Sequence, residues 1–187
     1  MTSACTPVWQ TKPTVSPDTL FDAHQHTLAS LERWEIRGRT VIIQGKEGWN
    51  VGLWWQENKT DYHIKLEGPF AQGGMTLDGD ERNVILTMDD GQQFSAATPE
   101  ELIMSTLGWT LPISALRDWI KGMPYAEKEL TLVEHDDEGR ITHLIQGDWD
   151  IEYRRYAPFN GSAMPAKIFI THPDLSVKLI IRKWSSL

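Results

Sequence analysis

A mainly β fold of about eleven antiparallel strands and about three helices, with the strands split into a sandwich or curled toward a barrel, is predicted by three features. Two long blocks, 36–96 and 129–184, alternate apolar and polar residues with period two. Turn signals such as GKEG, ENKTD, DGDER and DDGQ recur between short runs, so neighbouring strands follow one another as a meander. Between the blocks lies a pair of capped helical patterns, placed where helices can plug an open barrel end and leave space beneath.

The elements follow in order. Residues 1–15, including TPVWQTKPTVSP, are rich in Pro, Thr and Ser and lack periodicity, so they read as a flexible tether, and residues 16–187 as one folded domain. The first helix opens on Ser16 as N-cap, with Pro17 at the first helical position and Asp18 as a first-turn acid. Leu20, Phe21, Ala23, Leu28 and Leu31 form its apolar side. Strands are expected over 36–45, 48–57, 61–67, 74–79, 82–89 and 92–96. The helix pair comes next: TPEELIMSTLG opens on Thr98 and Pro99, and SALRDWIKGMP closes on Gly122 before Pro124. Leu102, Ile103 and Leu107, then Leu116, Trp119 and Ile120, give the pair its apolar faces. Strands resume over 129–136, 140–146, 149–156, 166–172 and 176–184, with HDDEGR, GD, APFNGSAMP and HPDLS as connectors.

Alternation writes down one wall. Trp49, Val51, Leu53 and Trp55 share a face, as do Tyr62, Ile64 and Leu66, then Met75 and Leu77, then Val84, Leu86 and Met88. Ile141 and Ile145, then Trp149, Ile151 and Tyr153, then Ile168 and Ile170, then Val177, Leu179 and Ile181 continue it. That wall either packs as an ordinary core or encloses an apolar space under the helix pair.

Composition excludes several classes. A chain of 187 residues with a net charge of −8 offers no basic stripe for nucleic acid. No run of about 18 apolar residues occurs, so no helix spans a membrane. The P-loop, the Rossmann fingerprint, the G-x-S-x-G elbow and the His-Glu-x-x-His helix are all absent, so no catalytic centre is recognisable and neither metal nor cofactor is expected. His24 and His26 point to different helix faces and read as solvated. The cluster His135, Asp136, Asp137, Glu138 reads as a charged hairpin tip rather than a weak cation site. Nine tryptophans fit a wide interior.

Cys5 is the single cysteine, so it forms no internal disulfide and belongs to no multi-cysteine zinc site. "SAC" matches the small-residue approach to a bacterial lipoprotein cleavage site, but no apolar h-region precedes it. The chain then reads as a mature protein in which Met1, alone or with Thr2, stands in place of a signal peptide; the other reading is an incidental cysteine in a tail. In "GPFAQGG" at 68–74, Phe70 stands alone among Pro69, Gly68 and small neighbours. It either folds back on the barrel rim or protrudes from the loop tip.

The segments "WEIRGR" at 34–39, "LWWQ" at 53–56, "GPF" at 68–70, "TPEEL" at 98–102, "LGWTLPISALRDWIKGMP" at 107–124 and "AMPAKIFI" at 163–170 resemble the outer-membrane lipoprotein receptor LolB family, over essentially Cys5 to Trp184. Phe70 stands where the family usually has leucine and Ala71 where it usually has glycine, so the loop keeps its apolar character. The resemblance implies an incomplete, open antiparallel β-barrel lidded by helices around an apolar cavity for acyl chains. It implies an outer-membrane-anchored receptor, not an enzyme, that accepts acylated lipoproteins from a periplasmic LolA-like carrier and inserts them into the outer membrane. It further implies that Cys5 is lipidated and anchors a monomer to the inner leaflet, and that Gly68, Pro69 and Phe70 form a membrane-insertion loop. Cavity positions are then expected at Val51, Leu53, Trp55, Ile64, Leu66, Met75, Leu77 and Leu86 of the first block. Leu107, Leu116, Trp119 and Ile120 join them from the helix pair, and Ile145, Ile151, Ile168 and Leu179 from the second block. A soluble lipid or lipoprotein carrier of the same fold, with Cys5 incidental, is the alternative; a lipid-acting barrel enzyme ranks third.

Overall fold

The computed structural model describes residues 15–68 and 73–187. Helix α1 (Pro17–Ala29) leads into β1 (Arg33–Gln44), β2 (Glu47–Asn58), β3 (Asp61–Glu67), β4 (Gly74–Gly79), β5 (Val84–Met88) and β6 (Gln93–Ala96). Helices α2 (Pro99–Leu107) and α3 (Ile113–Trp119) follow, then β7 (Leu130–His135), β8 (Ile141–Gln146), β9 (Trp149–Phe159), β10 (Ser162–His172) and β11 (Leu175–Ser185). All eleven strands join one antiparallel sheet in the order β6-β5-β4-β3-β2-β1-β11-β10-β9-β8-β7. The sheet does not close: β6 and β7 are its two edges, and the α2–α3 connection bridges between them. Among the described residues the open barrel with three helices is thus the observed architecture.

Each helix start obeys its local chemistry. Ser16 Oγ accepts from the Thr19 N–H and Thr98 Oγ1 from the Glu101 N–H, both with proline following the cap. Helix α2 ends at Gly108, whose φ of +77° is the left-handed cap conformation. Helix α3 differs from expectation, spanning only Ile113–Trp119. Ser114 does not cap it by its own side chain; instead the carboxylate of Glu100, from the first turn of α2, accepts from the Ser114 N–H at 2.8 Å. One helix start therefore satisfies the other, which fixes the pair.

Buried side chains on the inner sheet face pack against Leu102, Ile103, Ala115, Leu116, Trp119 and Ile120 of the helices, forming one continuous core. Trp34 is fully buried between Trp55 and Trp184, with ring centroids 5.6 and 5.2 Å away. Beside it, Gly38 marks a register shift between β1 and β11. A Cβ there would sit 2.1 Å from the Ile180 carbonyl oxygen, which accounts for the glycine within WEIRGR.

Helix α1 lies on the second half of the sheet. Leu28 is its buried anchor, Phe21 stacks on His135 at 4.9 Å, and Gln25 donates to the Gly122 carbonyl at 2.9 Å. Ala23, expected on the apolar side, is exposed. His24 is half-buried rather than solvated, its Nε2 donating to the Ala163 carbonyl at 3.0 Å, whereas His26 is exposed. Strands β9 and β10 run further than their prolines imply, because Asn160 and Gly161 both take positive φ, 48° and 79°, and build a two-residue hairpin turn.

Candidate functional site

An apolar cavity of about 550 Å³ opens at the end of the sheet where β1 meets β2, β3 meets β4 and β5 ends. Its floor is Ile42, Val51, Leu66, Met75 and Met88; Met75 pairs with Leu66 on one side and Met88 on the other. Leu107 at the end of α2 and Trp109 just beyond it form the cover, and Trp109 stacks on Trp49 at 6.4 Å with planes 18° apart. Gly68, Gly73 and Gly74 form the rim. The Gly68 N–H donates to the Gly73 carbonyl at 2.7 Å, closing the base of the segment 69–72. Among the described residues Asp89 is the one charged side chain on the lining. Walls of this composition can hold a hydrocarbon by apolar burial.

A larger cleft, about 690 Å³, lies across the opposite ends of β1 to β5, lined by Arg33, Gln56, Asp61, His63, Asp78 and Asp80 among others. Most of its lining residues are polar or charged, and His63 Nδ1 already hydrogen-bonds Asp78 at 2.5 Å. It does not suit an apolar ligand.

The expected cavity residues divide. Val51, Leu66, Met75 and Leu107 line the cavity. Leu53, Trp55, Ile64, Leu77, Leu86, Leu116, Trp119, Ile120, Ile151, Ile168 and Leu179 are buried in the continuous core beneath it. Ile145 is half-buried, while its neighbours Leu144 and Gln146 take the buried positions. Residue Thr142 has no partner on β7, where Glu134 faces His143 and His135 faces Ile141, so the extra residue turns the alternation over. Ile42 and Trp109 are lining residues that the sequence reading did not single out; the first continues an even-numbered inner row on β1, the second sits in an aperiodic linker. Cys5, Pro69 and Phe70 lie outside the described residues.

Two buried polar clusters fix α3 and the segment after it to the sheet. Gln146, 1% exposed, accepts from the Trp119 indole N–H at 2.7 Å and the Tyr125 N–H at 2.8 Å, and donates to the carbonyls of Tyr125 and Lys128. Glu57, 4% exposed, accepts from the Trp55 indole and pairs with Arg117 of α3. Arg117 also donates to the Lys59 carbonyl and lies over the Tyr62 ring.

Burial pushes the Glu57 carboxyl above its ordinary 4.5, against the opposing pull of Arg117. The sign of the linkage follows: the folded state binds this proton more tightly than the unfolded one, so Glu57 contributes stability that is fully present below 4.5 and is lost as pH rises through the folded value. Thermal melts of the wild type and Glu57→Gln should therefore diverge with pH, the variant gaining relative to the wild type from acid toward neutral. A difference in Tm that is constant over that range contradicts the assignment.

Comparison with known proteins places this geometry among relatives. The family model described as outer membrane lipoprotein LolB matches residues 32–184. An outer-membrane lipoprotein LolB from Nitrosococcus oceani is 34% identical over 182 residues, covering 97% of this chain and 90% of the relative. A protein of the same name from Pseudomonas aeruginosa is 34% identical over 164 residues, covering 88% and 80%. Among solved structures, a LolA superfamily protein from Nitrosomonas europaea superposes with a TM-score of 0.56 at 7% identity, over 92% of this chain and 94% of that one. That likeness concerns the fold.

Proposed function

The chain belongs to the outer-membrane lipoprotein LolB family, and from that premise we propose that it receives the acyl chains of lipoproteins in the apolar cavity and passes them into the outer membrane. The observation that carries the reading is the cavity itself, apolar on almost every side and rimmed by Gly68, Gly73 and Gly74. Each buried methylene contributes roughly 0.8 kcal/mol, so a triacylated cargo of about 45 methylenes does not escape through water on a useful timescale. Transfer must run from cavity to cavity, from a periplasmic LolA-like carrier to this receptor. The same arithmetic makes a triacylated Cys5 an effectively permanent anchor to the inner leaflet.

Volume sets a further constraint. At about 30 Å³ per heavy atom, the share a water molecule takes in the liquid, a cavity of about 550 Å³ holds roughly one long acyl chain rather than three. Accepting a whole cargo then requires the cover to move, and the segment placed to do so is Leu107–Trp109, half-buried or exposed and hinged at Gly108.

Phe70 is the proposed point of contact with the bilayer. One phenylalanine contributes about 1.5–3 kcal/mol on burial, too little to anchor the protein but enough to bias its approach. Phe70→Glu should leave folding and receipt of cargo from the carrier intact while impairing insertion into liposomes, and Phe70→Leu should be tolerated. The test is a two-step transfer assay with labelled triacylated lipoprotein, read first by co-elution with the receptor and then by flotation with liposomes. A Phe70→Glu protein that inserts cargo at the wild-type rate, or melts several degrees lower, would refute the role.

A further inference from the structure

Charge on this protein is sorted by strand. The four neighbouring strands β9, β10, β11 and β1 carry nine lysines and arginines against three carboxylates, although the whole chain carries −8. The cations stand on the sheet face opposite the helices. Lys167 is flanked by the buried Ala166 and Ile168, and Lys178 by the buried Val177 and Leu179. Phe169 pairs with Lys178 on that outer face, and three cations gather over its ring: Lys167 at 5.3 Å, Lys178 at 5.5 Å and Arg154 at 5.9 Å. The ring quadrupole holds like charges together that otherwise repel. Arg37 pairs with Glu35 and Arg154 with Glu152. Arg39, Arg155, Lys167, Lys178, Arg182 and Lys183 make no ion pair among the described residues.

We propose that this outer face docks on the anionic phospholipid headgroups of a bilayer, as a contact separate from the loop at 68–73. A lipid surface fits better than an acidic protein because of how the patch is built. Protein interfaces concentrate affinity in aromatic anchors desolvated at the centre, whereas here the central ring is overlaid by its own cations. The cations are spread across adjacent strands about 4.8 Å apart, an array that a plane of headgroups matches without shape complementarity. The acidic remainder is repelled by the same surface, so docking selects one orientation. Family membership enters only in placing the protein beside a membrane; the acyl cavity plays no part in the inference.

The test uses the unacylated full chain and sedimentation with phosphatidylcholine vesicles prepared with and without phosphatidylglycerol, at low and high salt. Binding should require phosphatidylglycerol and fade with salt. Lys178→Glu and Arg182→Glu should each weaken it by at least about five-fold, near the effect of one surface cation, with the milder Lys178→Gln giving a smaller loss in the same direction. Arg82→Glu, on the exposed β4–β5 turn, changes net charge equally and should leave binding unchanged. Indifference to phosphatidylglycerol, or an equal loss in Arg82→Glu, would overturn the proposal. So would patch variants that bind vesicles normally yet fail to engage a purified acidic carrier, which would assign the face to a protein. Uptake of an acyl probe in solution, measured on the same variants, should be unchanged, and its absence in the wild type would count against the cavity reading alone.

Discussion

Ile151→Asp is expected to unfold the protein, while Met75→Asp is expected to leave it folded and unable to bind an acyl probe. Ile151 is fully buried in the continuous core, so the change forfeits about 2–5 kcal/mol of packing and leaves a carboxylate with no partner in an apolar site. A domain stable by about 5–15 kcal/mol has little margin for both. Met75 is half-buried on the cavity floor, where a carboxylate can hydrate but hydrocarbon then meets a charge. Circular dichroism melts together with titration of an environment-sensitive fatty acid separate the two outcomes. Met75→Asp binding the probe as tightly as wild type would remove the cavity from the account.

Gln146→Leu should cost about 2–6 kcal/mol despite conserving volume. The substitution leaves the Trp119 indole N–H and the Tyr125 N–H without an acceptor, and each stranded donor costs about 1–3 kcal/mol. Urea unfolding should show a lower midpoint with an unchanged slope, the signature of lost stability rather than a changed denatured state. A loss below about 1 kcal/mol would mean that water or a rotated Tyr125 segment takes over these bonds.

How much of this was legible varies by element. Period-two alternation located the strands because all but the edge strands β6 and β7 bury one face against the core, and proline after Ser16 and Thr98 announced two helix starts. The hairpin at Asn160–Gly161 was obscured by Pro158 and Pro165, which read as terminators; Pro158 is exposed and Pro165 sits at a register shift, so neither breaks the sheet. Ile145 was misplaced because a bulge at Thr142 leaves no residue signature. The cavity is the deeper case. Alternation tells which face a side chain takes but not whether a partner fills the space beyond, so Leu53 and Leu66, neighbours across β2 and β3, read alike although one is packed and the other borders a void. Trp109, which closes that void, lies in a linker without periodicity.

The most direct measurement is photolabelling by the cargo itself. A lipoprotein carrying a diazirine on an acyl chain is transferred from its carrier, irradiated, and the adducts are mapped by peptide mass spectrometry. Labels are expected on Leu66, Met75 and Met88 of the floor and on Leu107 or Trp109 of the cover, with none in the cleft around His63 and Asp78. Labels confined to that cleft or scattered over the outer sheet face, or no difference between acylated cargo and a soluble acyl-free protein, would contradict that expectation.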